Sequence, residues 1–163
     1  MKNNYRLFGS TLFFILSFFR LSASEQFKVI DNTFGLPDNT VNCVNQDSHG
    51  FIWMGTVNGI CRYDGLLFTT FRHDVNDAFS LSDNNVRKIL PVEGGLVVAT
   101  NKGIAFYSFS DGLFHRFSVA GKRGSYLLKS RMNSLLINRG NIIAADENGD
   151  YYVKSAATAD LRF

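Results

Sequence analysis

An internal repeat of about 45 residues constrains this chain more than any other feature. Residues 35–41 (GLPDNTV) return 45 positions later as residues 80–86 (SLSDNNV). A turn at residues 56–60 (TVNGI) returns at 100–104 (TNKGI) and, more loosely, at 146–150 (DENGD). A repeat of this period is typical of proteins built from stacked supersecondary units, so about three units account for most of the chain.

The apolar positions follow the same period. One set marks the start of each unit and a second, aromatic set marks its end. The first set is Val41, Val86 and Met132; the second matches Phe68 with Phe114 and Phe71 with Phe117, with Phe163 in the third unit.

The apolar runs inside each unit are short and bounded by turn residues, which favours strands over helices. In the first unit they predict strands at residues 41–46, 51–55, 60–63 and 66–71. The connections are too short for helical crossovers, so we expect every neighbouring pair to be antiparallel. Two-residue hairpin turns are expected at Asn58-Gly59, Lys102-Gly103 and Asn148-Gly149.

Strands that are apolar on both faces suit a sheet packed between two neighbouring sheets. Residues 51–54 (FIWM) and 96–99 (LVVA) have this character. They predict an all-β fold, a partial β-propeller of about three four-stranded antiparallel blades near residues 35–74, 80–121 and 125–163. The alternative is a β-sandwich, which should show a cleaner alternation of apolar and polar residues.

The amino terminus has the pattern of a secretory signal peptide. Two basic residues precede an apolar run at residues 7–19, and small residues at 22–24 offer a cleavage point. We therefore expect residues 1–24 to be removed and residues 25–163 to form an extracytoplasmic domain. The alternative is a retained anchor, although the apolar run is shorter than the roughly 20 residues that a spanning helix needs.

Charge and cysteine content narrow the function classes. The formal net charge is +3, but three of the 17 basic residues precede residue 25, and the rest equal the 14 acidic residues in number. Residues 25–163 thus carry no formal net charge, which disfavours nucleic-acid binding. Cys43 and Cys61 fall on the first and third predicted strands, where Cα atoms are about 9 to 10 Å apart. A disulfide needs about 7 Å or less, so we expect two reduced, buried thiols.

The polar residues form no recognisable catalytic or metal-binding constellation. His49, His73 and His115 are not at metal-ligand spacing. Residues 146–150 begin like a calcium loop, but their glycine stands at the fourth place instead of the sixth, and a hairpin turn is the simpler interpretation. We predict no catalytic residue, no metal site and no cofactor.

Trp53 and Tyr63 are of the residue type that stacks on sugars. Both fall inside predicted strands, where packing explains the rings better, so the ligand-binding residues are left unassigned. Several carboxylates fall in predicted turns, where bonds to local backbone amides account for them. They are Asp47, Asp64, Asp111 and Asp146.

Residues 35–64 resemble the two-component regulator propeller repeat. Its pattern is Gly-Leu-(Pro/Ser)-x-Asn-x-Val, then Asp-x-x-Gly-x-(Leu/Ile)-Trp-(Ile/Met/Phe)-Gly-Thr, then Gly-(Leu/Ile)-x-x-(Tyr/Phe)-(Asp/Asn). The second unit departs from it at residues 97–99 (VVA), and the third keeps little beyond its turns. The matched positions of the first unit include Trp53, Gly55, Gly59, Ile60, Tyr63 and Asp64.

Proteins with this repeat at the amino terminus are similar to the periplasmic sensor regions of Bacteroidetes hybrid two-component systems. The resemblance implies a periplasmic protein that senses a small oligosaccharide and, in the full-length family, dimerises, is anchored in the membrane and signals to a histidine kinase. This chain carries no kinase motif, so it is not itself expected to be an enzyme. The alternative is a fragment of a secreted propeller enzyme such as a polysaccharide lyase.

Two expectations concern the ends of the repeat array. Residues 27–31 (FKVID) alternate like a strand that has no partner in the first unit, which suggests a closing strand whose natural partner is missing. Closed propellers have typically four to eight blades, so three blades would leave both outer sheet faces open. We therefore expect a truncated fragment, without its remaining blades, that alone neither senses nor signals.

Overall fold

The structure, a computed structural model, describes residues 29–121 and 124–155. Within these residues it has thirteen strands, one short 3-10 turn at Asn32–Phe34 and no α-helix. The predicted signal peptide and Phe163 lie outside the described residues. The strands are β1 (Val41–Gln46), β2 (Ile52–Thr56), β3 (Gly59–Tyr63), β4 (Phe68–Phe71), β5 (Val86–Val92), β6 (Gly95–Thr100), β7 (Gly103–Ser108), β8 (Phe114–Arg116), β9 (Ser118–Gly121), β10 (Gly124–Leu127), β11 (Met132–Asn138), β12 (Asn141–Asp146) and β13 (Tyr151–Ser155).

Three antiparallel sheets follow one another along the chain. Sheet one has the order β1-β2-β3-β4, sheet two β5-β6-β7-β8 and sheet three β11-β12-β13. The three sheets confirm the all-β prediction. Their arrangement resembles part of a propeller. A fourth strand for sheet three would fall on residues outside the described part. The hairpin of β9 and β10 forms a separate two-stranded sheet, which the sequence did not predict.

The repeat is visible in the hydrogen-bond register. Val41, Val86 and Met132 each face the last residue of the second strand in their sheet, and a bulge follows each of them. These matched positions are therefore confirmed. In all three sheets the residue after the second strand donates its N–H to the carbonyl just before the first strand. The pairs are Val57 with Thr40, Asn101 with Asn85, and Glu147 with Arg131.

The sheets pack face to face. We call the face toward the next sheet in the chain the forward face and the opposite one the rear face. Every residue of β6 and β7 is buried, as expected for a sheet between two others. The forward face of sheet one (Trp53, Ile60) meets the rear face of sheet two (Leu96, Val98, Tyr107). The forward face of sheet two (Val97, Ile104, Phe106) meets the rear face of sheet three (Ile142, Ala144).

The hairpin turns differ from the prediction by one position. In sheet one the two loop residues are Val57 and Asn58, and Gly59 pairs with Thr56 as the first residue of β3. The Thr56 hydroxyl donates to the Gly59 carbonyl at 2.9 Å and so closes the turn around the glycine. Sheet two repeats this arrangement, whereas sheet three has a longer loop at residues 147–150.

The segment before sheet one has no strand partner among the described residues, and β4 does not pair with it. Val29, Ile30 and Asp31 belong to no strand; Phe27 and Lys28 lie outside the described part. Asp31 instead caps the 3-10 turn, because its Oδ1 accepts the Thr33 N–H at 2.9 Å. A short aspartate cap satisfies the backbone locally and so competes with strand pairing.

The rear face of sheet one is partly open: Val44 on it is 55% exposed, but other positions are covered. Leu36 is buried on its rear face together with Met54 and Cys61, and Ile30 packs against them. Burial of apolar surface is favourable, so nearby apolar side chains pack on this face. Here they come from the segment that precedes β1. The rear face of sheet one is thus partly covered by its own chain.

Gly103 gives a test of this packing. Its φ is 106°, and a Cβ there would overlap the carbonyl oxygen of Leu128. We expect Gly103→Ala to lower the free energy of unfolding by about 2 to 4 kcal/mol. Gly94→Ala is the matched control, since its φ is 75° with no atom within 4 Å of a Cβ, and should cost about 1 kcal/mol. Guanidinium titrations of both variants measure the difference, and equal costs would contradict the close approach.

Candidate functional site

Trp53 belongs to the core between sheets one and two. It is fully buried, and its Nε1–H donates to Oδ2 of Asp47 at 2.7 Å. Its ring stacks on Phe71 and meets Tyr107, with centroids 5.7 and 5.0 Å away. Tyr63 lies on the opposite face, stacked on Phe68 at 4.5 Å. Trp53 is thus a core residue, and the half-buried ring of Tyr63 packs on Phe68.

Asp47 organises the loop between β1 and β2. Its Oδ1 accepts the N–H groups of His49 and Phe51 at 2.9 and 3.0 Å, while Oδ2 holds the Trp53 indole. Gly50 closes the loop with a φ of 88°. The spacing of an aspartate, a glycine and a tryptophan in the repeat pattern is thus explained by one buried carboxylate.

Asp146 builds the same turn between β12 and β13. Its Oδ1 accepts the N–H groups of Asn148 and Asp150 at 2.9 and 3.0 Å, and the Tyr152 hydroxyl donates to Oδ2 at 3.2 Å. Burial opposes ionisation of Asp146, but hydrogen bonds from Ser130, from these amides and from Tyr152 outweigh it and lower its pKa. A hairpin turn, as predicted, accounts for this segment. No group of three or more potential metal ligands occurs in residues 29–121 and 124–155.

The histidines are dispersed over separate contacts. His49 is exposed and meets the Phe109 ring edge-on at 4.8 Å. His73 Nδ1 lies 2.6 Å from the Leu81 carbonyl oxygen, and His115 Nε2 lies 2.9 Å from Oδ2 of Asp111. His73 and His115 thus contact residues close in sequence, whereas His49 contacts a residue that follows β7 of sheet two.

Arg116 anchors the connection between sheets one and two, a role that the sequence did not reveal. Its Nη2 donates to Oγ of Ser80 at 2.7 Å and to the carbonyls of Asp77 and Asp74 at 2.9 and 3.3 Å. Its Nε donates to the Ser80 carbonyl at 3.1 Å. The guanidinium charge of Arg116 is thus stabilised by backbone carbonyls of the loop at residues 74–80, so this side chain has a structural role.

An open cleft of about 760 Å³ lies at one end of sheet three. One wall is the connection after β10, and the other is the loop between β12 and β13. The lining residues are Leu127, Leu128, Lys129, Ser130, Glu147, Asn148, Asp150 and Tyr152. The cleft offers an ammonium, two carboxylates, an amide and a phenol. Such a mixture of donors and acceptors beside one aromatic ring suits a polyhydroxylated ligand.

The two cysteines lie on β1 and β3, as predicted, and both are free. Cys61 is fully buried, and burial raises its pKa to about 11. Cys43 is half-buried, which corrects the prediction of full burial, and burial raises its pKa as well. Cys43 is less covered because β1 is an edge strand of sheet one, whereas β3 lies inside the sheet.

These features define part of a β-propeller whose first sheet carries a known repeat. Residues 35–58 match the family model of the two component regulator propeller. No curated protein matches the sequence at a significant level. No helix in the described residues is long and apolar enough to cross a membrane.

The fold is similar to extracellular domains from B. thetaiotaomicron. The domain assigned to the hybrid two component system BT3049 superimposes with a TM-score of 0.63 at 19% identity, over 80% of this chain and 20% of that one. A domain of BT4673, assigned to a one component system, gives 0.66 at 20% identity, over 85% and 20% of the two chains. The chain therefore spans about one fifth of the length of the domains that it matches.

The buried thiol allows a chemical test of the strand order. At a pKa of about 11, about one Cys61 in a thousand is ionised at pH 8, against about one in four for an unperturbed cysteine. We expect iodoacetamide at pH 8 to leave Cys61 unmodified in the folded protein and to label both cysteines in guanidinium, as read by mass spectrometry. A bond between Cys43 and Cys61, or rapid labelling of Cys61 before unfolding, would contradict the assignment.

Proposed function

We propose that this chain forms part of an extracytoplasmic, ligand-sensing β-propeller of a two-component sensor, and that its ligand is an oligosaccharide. The observation that carries the proposal is the regulator propeller repeat at residues 35–58, combined with a fold like that of extracellular sensor domains. In this proposal the chain contributes recognition.

The cleft of sheet three is the site that we assign to the ligand. Sugar hydroxyl groups both donate and accept hydrogen bonds, and the cleft is lined by Lys129, by the acidic residues Glu147 and Asp150, and by Asn148. Tyr152 contributes a ring that is half-buried and fixed through its hydroxyl to Asp146. A fixed ring beside polar side chains is a suitable arrangement for stacking on a sugar face.

Export can be tested through the amino-terminal segment. Residues 1–24 fused to an alkaline phosphatase that lacks its own signal should give phosphatase activity in intact cells, since this enzyme folds only in an oxidising compartment. Leu12→Arg, which places a charge in the apolar run, should abolish the activity. Equal activity of both fusions, or none from either, would contradict a secreted location.

The cleft is lined by residues of this chain, so the chain is expected to bind a ligand even though it is not expected to signal alone. Binding can be tested by calorimetry with the purified chain and oligosaccharides of two to eight units from several polysaccharides. We expect one class to bind, and Asn148→Ala to weaken that binding about five- to tenfold, the usual effect of losing one hydrogen bond. Asn138→Ala is the matched control, because Asn138 is an exposed asparagine at the opposite end of sheet three. Heat from no oligosaccharide, or equal loss in both variants, would contradict the proposed ligand class or cleft.

A further inference from the structure

A charged side chain lies on the forward face of sheet one at a position where sheet two has an apolar one. Arg62 faces Trp53, three residues before the end of β2. Phe106 faces Val97 at the same distance from the end of β6, and it is 7% exposed. Arg62 is half-buried, and its Cζ lies 4.8 Å from the ring centroid of Phe51. Packing of the two sheets alone does not require this charge.

The guanidinium of Arg62 has no hydrogen-bond or ion-pair partner within residues 29–121 and 124–155. Three carboxylates lie in turns at the same end of sheets one and two, and each accepts backbone N–H groups of its own turn at 2.7 to 3.0 Å. The charge of Arg62 is therefore left without a counter-ion. The three carboxylates are those of Asp47, Asp64 and Asp111.

A buried phenol nearby also lacks a partner. Tyr107 is 5% exposed, and its hydroxyl makes no hydrogen bond to the described residues. The equivalent Tyr63 of sheet one donates its hydroxyl to the Gly65 carbonyl at 2.5 Å. In the described residues Asn101 Oδ1 is the one buried side-chain oxygen or nitrogen without a partner, so the Tyr107 hydroxyl reaches the surface. Burial raises the pKa of Tyr107, and the nearby charge of Arg62 acts in the opposite direction.

Aromatic rings connect these two groups in a closed series of contacts, which we call the seam site. The successive separations are 4.8, 6.5, 4.8, 6.1, 5.0 and 6.0 Å, measured between ring centroids or from Cζ of the arginine to a centroid. The series opens at the end of the sheets where β1 turns into β2, whereas the cleft of sheet three lies at the other end. Its members in order are Arg62, Phe51, His49, Phe109, Tyr107 and Trp53.

We propose that the seam site binds a carboxylate that is attached to a ring, with Arg62 as its cationic anchor and the Tyr107 hydroxyl as a second donor. The planar guanidinium has a fork of N–H groups that matches the two oxygens of a carboxylate. The half-buried rings of Phe51 and Phe109 offer apolar contact to the ring of the ligand. The inference goes beyond the proposed function and involves no residue of the cleft.

A carboxylate fits the seam site better than a neutral acceptor does. It supplies the counter-charge that the described residues do not supply, and hydrogen bonds to an ionised acceptor are roughly twice as strong as neutral ones. The charges of the three aspartates are screened beyond about 10 Å in ~0.1 M salt. Recognition therefore depends on direct contact with Arg62 and not on long-range attraction. An acidic sugar and an apolar ring acid share this chemistry.

Tryptophan fluorescence can report the binding directly. Trp53 is the only tryptophan of the chain and borders the seam site. We expect a saturable change in its emission with glucuronate or with cyclohexanecarboxylate, and none with glucose, which has a sugar ring without the acid. Saturation by glucuronate indicates an acidic sugar, and saturation by cyclohexanecarboxylate alone indicates an apolar ring acid. No change with either acid, or an equal change with glucose, would overturn the proposal.

The hydroxyl of Tyr107 supplies the first variant. Tyr107→Phe keeps the ring in the core and should weaken binding of the acid about ten- to a hundredfold, the usual effect of losing a hydrogen bond to a charged group. Tyr63→Phe is the matched control, because it removes the equivalent hydroxyl on the other side of sheet one, and it should bind like the parent chain. Equal affinities of all three proteins would contradict the role of Tyr107.

The charge of Arg62 supplies the second variant. Arg62→Gln should weaken binding at least tenfold, whereas Arg72→Gln should not, since Arg72 is exposed and its Nε donates to the Asn58 carbonyl at the opposite end of sheet one. Asn148→Ala should also leave this binding unchanged, which separates the seam site from the cleft. An equal loss in the two glutamine variants, or a loss in Asn148→Ala, would place the acid elsewhere and overturn the proposal. The Tyr107→Phe result remains decisive if Arg62→Gln does not fold.

Discussion

The packing of one apolar sheet face on the next is the interaction on which the rest of this structure depends. Sheet two has no exposed residue in β6 or β7, because both of its faces are covered. This arrangement excludes water from both faces, so the polar backbone has to be satisfied within each sheet and at its ends. The close approach of the sheets also requires glycine at position 55, because a Cβ at Gly55 would come within 2.5 Å of Val86 Cγ1.

The first repeat was the most predictable part, because its turn chemistry and strand pattern agree. Asp47 and Gly50 are local signals, and their loop forms as expected. The sequence was less informative where tertiary contacts outweigh a local pattern. Residues 29–31 alternate like a strand, yet a capping aspartate and the apolar rear face of sheet one determine their conformation. The hairpin of β9 and β10 has no counterpart in the other units, so the repeat could not reveal it.

The candidate site was less predictable than the fold. Its walls come from residues 127–130 and 147–152, which are about 20 residues apart in the sequence and meet only when sheet three forms. The one available signal was the length of the loop after Asp146, which exceeds the two-residue loop at Val57 and Asn58. The hydrogen bonds of Arg116 to backbone carbonyls could not be predicted from the sequence, since every residue has a carbonyl.

The twin aspartate turns have a consequence for how such chains are aligned. The turn at Asp47 joins the first and second strands of its sheet, whereas the turn at Asp146 joins the second and third. Because the carboxylate, two amides and an aromatic side chain satisfy one another, the unit is self-contained and can be placed at either end of a blade. An alignment that matches the two aspartates would therefore shift the third repeat by one whole strand. Such a shift would exchange the two ends of the propeller and put the loops of that blade on the wrong side.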